Sequence, residues 1–166
     1  MADEIYLGNP LLKKANVAQE FTKDQILEFM ACKHDPVYFA KQHVKIVSLD
    51  EGLVNFEPYD FQETLIRRFH ENRFNICKMP RQTGKSTTSV SYLLHYAVFN
   101  DNVNIGILAN KAATARDLLG RLQTAYENLP KWMQQGIIAW NKGSLELENG
   151  SKILAASTSA SAVRGM

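Results

Sequence analysis

Gly84-Lys85-Ser86 are the residues of this sequence whose types and spacing best suit chemistry. They follow the strand-like run Phe74–Met79 and precede a stretch in which Val90, Leu93, Leu94, Ala97 and Val98 recur at helical spacing. A turn from a strand into a helix aims several backbone N–H groups, and the positive end of the helix dipole, at one spot, which suits a triphosphate. Gly84 lets the backbone approach closely, the Lys85 ammonium meets charge on the β and γ phosphates, and the Ser86 hydroxyl can ligate Mg²⁺. The full pattern places a glycine where this chain has Met79, so the motif is degenerate and its strand–helix context carries the reading.

Other residues admit two readings each. Arg81 lies inside the loop, where a guanidinium either reaches phosphate or is solvated. Arg164, in Ala162-Val163-Arg164-Gly165, is an exposed charge unless something else gives it a role. The Gln62 amide can both donate to and accept from the Watson–Crick edge of adenine, or face solvent on its helix. Lys111, Arg116 and Arg121 suit either DNA phosphates or a solvated helix face. His34, His43, His70 and His95 share no metal-ligand spacing, and Trp132 and Trp140 read as packing residues. Cys32 and Cys77 form neither a zinc pattern nor a disulfide framework, so both are expected as small buried apolar residues in a reducing compartment.

These residues need elements to hold them. Residues 1–20 read as an arm with a turn at Asn9-Pro10. Thr22 and Gln25 form a capping box that opens one helix, and Asp35-Pro36 caps and opens a second. Leu53–Phe56 reads as a strand, Tyr59–Asn72 as a helix, and Phe74–Met79 as the strand that leads into the loop. Val103–Ala109 is a near-continuous apolar run, as in a strand buried on both faces of a parallel sheet. A helix over 111–128 follows, then strands at Ile137–Trp140, Leu145–Glu148 and Lys152–Ala156 with a strong hairpin signal at Asn149-Gly150. Glu146 and Glu148 alternate on the middle strand and are expected to face solvent or a neighbour. The order is that of a doubly wound α/β fold.

Composition excludes little. The 166 residues suit about one domain, with 45% hydrophobic and 22% charged residues. A net charge of +2 neither requires nor excludes DNA. No apolar stretch approaches the roughly 20 residues of a membrane span, and the acidic start Met1–Tyr6 is not a signal peptide.

Taken together, Tyr59-Asp60-Phe61-Gln62, Met79-Pro80-Arg81-Gln82-Thr83-Gly84-Lys85-Ser86, Gly106-Ile107-Leu108-Ala109, Trp140-Asn141-Lys142-Gly143-Ser144, Glu148-Asn149-Gly150-Ser151 and Ala162-Val163-Arg164-Gly165 occur in an order and spacing that resembles the large terminase subunit of contractile-tailed bacteriophages. The likeness runs from about Asn9 to the last residue. It implies an ASCE, RecA-like P-loop NTPase, with a parallel sheet and flanking helices over residues 53–166, preceded by an arm and small helical lid over residues 1–52. It implies ATP and Mg²⁺ as cofactors. Gln62, Arg81, Gln82, Thr83, Gly84, Lys85, Ser86 and Thr87 would hold the nucleotide, with Gln62 at adenine and Ser86 at the metal. In that family the position of Met79 is not held as glycine. Arg164 would be a finger presented to a neighbouring subunit, with Arg81 competing for the same catalytic role in cis. The implied partners are double-stranded DNA, the portal ring of the procapsid, the small terminase subunit and further copies in a ring, with no membrane. The implied place is the cytoplasm of the infected host rather than the mature virion.

The sequence departs from the family in one respect. The family follows the segment matching Arg164 with an apolar strand ending in Asp-Glu, then a coupling motif and a nuclease domain, and none of these is found up to Met166. The 166 residues alone are therefore expected to hydrolyse ATP at background rate. Two other functions fit less of the pattern: a non-hydrolysing nucleotide-binding or assembly piece completed by a second polypeptide, and a helicase-like translocase.

Overall fold

The computed structural model describes residues 4–48 and 50–158. A short hairpin, β1 (Ile5–Tyr6) and β2 (Asn9–Lys13), comes first. Its turn is Leu7-Gly8, both at positive φ, so Asn9-Pro10 opens a strand where a turn was expected. Helix α1 (Lys23–His34) begins with the anticipated capping box: Thr22 Oγ1 accepts from Gln25 N–H, and Gln25 Oε1 accepts from Thr22 N–H. Helix α2 (Pro36–His43) starts on Asp35, whose Oδ1 accepts from the N–H groups of Val37 and Tyr38.

A second hairpin joins β3 (Lys45–Ser48) to β4 (Gly52–Asn55). Strand β3 was not anticipated. Its residues follow the helical run without a break in polarity, and its partner supplies the ladder that makes it a strand. Then come α3 (Asp60–Glu71), α4 (Lys85–Phe99), β5 (Asn104–Ala109), α5 (Ala112–Glu127), a 3₁₀ turn at Lys131–Met133, β6 (Ile137–Trp140), β7 (Ser144–Leu147) and β8 (Lys152–Ser157).

The main sheet has the order β5-β8-β7-β6. Strands β5 and β8 are parallel, with Ile105 opposite Ile153 and Ile107 opposite Ala155, while β8–β7 and β7–β6 are antiparallel. The fold is α/β, but this sheet is mixed, against the parallel sheet expected. Helix α5 is the crossover between the parallel pair and packs on both strands, burying Ala115, Leu119, Leu122, Ala125 and Tyr126. Helix α4 packs on α5, and α2 and α3 pack on α4. The core therefore runs from the sheet through α5 and α4 to the N-terminal helices, where Phe39, Cys32 and Leu94 are fully buried.

Two expectations about strands fail, each for want of a neighbour. Phe74–Met79 forms no strand, because among the described residues nothing runs beside it to complete a ladder. Phe74 and Ile76 are exposed, and Cys77 is exposed rather than buried. Strand β5, read as buried on both faces, alternates: Ile105 and Ile107 face α5, while Asn104, Gly106 and Leu108 are exposed. Among the described residues a helix covers only one face of this sheet, so the period of two reappears.

Polar contacts fix the far end of α4. Asn149 Nδ2 donates to the carbonyls of Ala97 and Asn100, and the buried Ser151 hydroxyl donates to Asn100 O. Gly150 is at φ +81, and a Cβ there would meet Asn102 Oδ1 at 2.2 Å. The β7–β8 turn thus clamps the end of the helix whose start is Gly84-Lys85. Glu146 pairs with Lys152, but Glu148 turns inward, against expectation. It accepts from Gly136 N–H and Asn16 N–H and pairs with Lys13, tying the N-terminal segment to the sheet.

His95 is buried against Phe39 and Phe99. Its Nε2–H donates to Cys32 O at 2.9 Å, while Nδ1 is buried without a partner. A second ring proton would have no acceptor there, and burial lowers the histidine from 6.5 to about 4. The unfolded chain binds that proton more readily. The stability His95 contributes is thus complete above about pH 6.5 and is lost as pH falls toward about 4, by up to about 3 kcal/mol. His95→Gln, which keeps a donor for Cys32 O but cannot titrate, should flatten this acid limb in urea titrations between about pH 7 and about pH 4.5. An acid limb as steep as that of the parent chain would contradict the assignment.

Candidate functional site

The Pro80–Gly84 loop is shaped by backbone angles that most residues avoid. Gln82 and Gly84 both have positive φ, 61 and 73 degrees. Thr83 Oγ1 donates to Pro80 O at 3.0 Å, and the Lys85 ammonium donates back to Pro80 O and, at 3.1 Å, to Met79 O. The lysine thereby closes the loop on itself. Thr88, fully buried, donates its hydroxyl to Gly84 O and anchors the first turn of α4.

The start of α4 is electrostatically open. Helices α1 and α2 carry side-chain caps, and α3 has Asp60 and Glu63 in its first turn. Helix α4, like α5, has neither a side-chain cap nor an acid in its first turn, and at α4 this coincides with the Lys85 side chain and the Pro80–Gly84 loop. The N–H groups of a first turn have no intrahelical partner, so this end keeps its partial positive charge beside the Lys85 cation. Ser86, Arg81 and Gln82 are exposed at the same place.

Gln62 connects this loop to α3. It is 4% exposed; its Oε1 accepts from Tyr59 N–H at 2.9 Å, and its Nε2 points at Thr83 O at 3.4 Å. Gln62 is therefore not a solvated helix residue. Its amide faces the loop and retains a second N–H and a second lone pair. Gly84 is glycine for two reasons that coincide: its φ of +73 is costly for other residues, and a Cβ there would come within 2.3 Å of Gln62 Nε2.

Beside this joint lies an open groove of about 640 Å³, bounded by the β3–β4 hairpin on one side and by Tyr59, Gln62, Gly84 and Thr87 on the other. The Tyr59 ring, 70% exposed, stacks on Phe61 with centroids 5.7 Å apart. Neither Tyr59 as a platform nor the wall formed by Lys45, Ile46 and Ser48 was anticipated. The β-branched run Ile46-Val47 ahead of Gly52 was the available signal for that wall.

The structure thus brings Gln62, Gln82, Thr83, Gly84, Lys85, Ser86 and Thr87 together, with Arg81 at the loop's exposed rim. Arg164 lies outside the described residues. Lys111, Arg116 and Arg121 are exposed at or along α5, and Arg121 pairs with Asp117 one turn earlier. Trp132 meets the His43 ring edge-on and Trp140 packs on Tyr126, so both are packing residues.

The architecture is that of an α/β protein with a Gly-Lys-Ser loop entering an uncapped helix. The family described as terminase large subunit, T4likevirus-type, N-terminal, matches residues 76–166, more than half of the 166 residues. The chain belongs to that family, the N-terminal part of a phage large terminase subunit, and large terminase subunits are components of DNA-packaging motors and generally ATPases. Among the described residues no helix is long and apolar enough to cross a membrane.

The joint between Gly84 and Gln62 is directly testable. Gly84→Ala should destabilise the chain by about 1–3 kcal/mol through left-handed strain and displacement of the Gln62 amide. The same change in a Gln62→Ala background should cost at least about 0.5 kcal/mol less, because the clash is gone. Strictly additive losses in denaturant titrations would mean that the two residues do not meet as described.

Proposed function

We propose that this chain is the ATP-binding part of a viral DNA-packaging motor, with a P-loop NTPase fold that holds ATP and Mg²⁺ at the Arg81–Thr87 loop. The observation that carries the proposal is the pairing of Lys85 with the unneutralised start of α4, next to a groove wide enough for a nucleobase. A triphosphate supplies the negative charge this end of the helix lacks. Lys85 would exchange its loop carbonyls for phosphate oxygens, the backbone of Gln82, Thr83, Gly84 and Thr87 would line the phosphate chain, and Ser86 would offer its hydroxyl to Mg²⁺. Gln62 and the Tyr59 ring lie at the groove, where an adenine edge and face would be read. Arg81 would meet transferring phosphate in cis, and Arg164 from a neighbouring subunit would compete for that role.

In this reading the motor couples hydrolysis to translocation of double-stranded DNA in the infected cell's cytoplasm, as a ring of copies docked on the procapsid portal and supplied by the small terminase subunit. Lys111, Arg116 and Arg121 offer phosphate contacts to the DNA.

Two measurements test the site. Lys85→Ala should abolish binding of a fluorescent ATP analogue, and equal affinity for mutant and parent would overturn the phosphate assignment. Gln62→Ala should weaken ATP more than GTP by about 1–3 kcal/mol, the cost of one unpaired buried group. An equal loss for the two nucleotides would leave Gln62 as a brace between α3 and the loop and nothing more.

A further inference from the structure

Away from the loop, three side chains that can ligate metals converge between α1 and α2. Glu28 and Cys32 lie one helical turn apart on α1, so they share a face. His43 reaches them from the last turn of α2. Glu28 Oε1 is 2.7 Å from His43 Nε2 and 3.6 Å from Cys32 Sγ, and the three ligand atoms all lie within 4.8 Å of one another. The other carboxylate oxygen, Oε2, accepts from Tyr38 O–H at 3.0 Å, which fixes the orientation of Glu28. Cys32 is fully buried, while the side chains of His43 and Glu28 are 13% and 29% exposed. The cluster is thus walled on one side and open on the other.

We propose that Glu28, Cys32 and His43 form a binding site for a zinc-class divalent cation, separate from the nucleotide loop. Tetrahedral zinc bonds of about 2.0 Å to nitrogen and oxygen and about 2.3 Å to sulfur place an S···O pair about 3.5 Å apart and an N···O pair about 3.3 Å apart. The thiol–carboxylate separation already matches, and the His43 ring has to withdraw by only about 0.6 Å. One sulfur, one imidazole and one carboxylate suit a borderline-soft ion and not Mg²⁺, which prefers oxygen alone. The open side leaves the fourth position to water. Binding releases the Cys32 thiol proton to solvent, moves the His43 ring proton from Nε2 to Nδ1 through water, forms one bond each from sulfur, nitrogen and oxygen to the metal, and needs no oxidant. Burial and the nearby Glu28 carboxylate hold that thiol protonated, pushed up to about 12, until a cation compensates its charge. The ion would pin α1 to α2 just before Val44 and β3, the strand that walls the groove beside Gln62. The competing account is a hydrogen-bonded trio with Glu28 at its centre and no ion.

Cobalt(II) titration of the full chain separates the two accounts, with Cys77→Ser as background because the exposed Cys77 thiol could bind cobalt by itself. The proposal expects one cobalt per chain, a thiolate-to-cobalt charge-transfer band, and displacement of that band by Zn²⁺. Cys32→Ser keeps a donor for Glu28 and so keeps the trio, and it should remove the band while circular dichroism stays unchanged. His43→Gln should weaken cobalt binding at least tenfold. Folded protein without the band, or a band that survives Cys32→Ser, would overturn the site.

Discussion

The contact between the Gln62 amide and the bare backbone of Gly84 is the constraint on which the site depends. It joins the first turn of α3 to the last residue before α4, so one buried side chain sets both the entry angle of the loop and one wall of the groove. The loop is otherwise short of external support. Its other described contacts are its own: Lys85 and Thr83 bond to Pro80, and Thr88 bonds to Gly84. A loop that closes on itself and is braced at one point keeps its backbone N–H groups free for a ligand. A helix with a side-chain cap would have spent them.

The opposite end of α4 is held by different means. Asn149 and Ser151 reach from the β7–β8 turn to the last carbonyls of the helix, so the sheet and the loop are connected through one rigid element about four turns long. Helix α5 carries the same load from the other side, between the parallel strands and α4. The N-terminal helices complete the frame, since Cys32 O anchors His95 on α4 and Phe39 packs against the same ring. Events at the start of α4 therefore have a packed route to both the sheet and the N-terminal helices.

Much of this was legible in the residues, and the part that was not has a common cause. Local chemistry announced itself: Thr22 with Gln25, Asp35 with Pro36, and Asn149 with Gly150 are each shaped by interactions within a few residues, and the helix expected after Gly84 begins at Lys85. What failed depended on a distant partner. Phe74–Met79 has strand composition but no neighbouring strand among the described residues, and Cys77 is exposed with it. Strand β5 has the apolar run of a doubly covered strand and one covered face. Glu148 looked like half of a solvent-facing alternation, yet it is recruited by Gly136 and Asn16, residues that lie far apart in sequence. His43 meets Glu28 and Cys32 only because α1 and α2 pack together, a contact that no spacing along the chain announces. Gln62 is singled out in the sequence for its amide, but its burial against Gly84 exists only once α3 and the loop are folded together.

Amide chemical-shift mapping tests the central claim most directly, because it locates the ligand without altering the protein. Addition of ATP with Mg²⁺ should move the backbone amides of Thr83, Gly84, Lys85, Ser86 and Thr87 and the side-chain amide of Gln62, with smaller shifts at Tyr59 and along β3. Adenosine alone should move Gln62 and Tyr59 but leave Lys85 and Ser86 in place. Shifts concentrated elsewhere, with the Gly84–Thr87 amides unmoved at saturating ATP, would contradict the account.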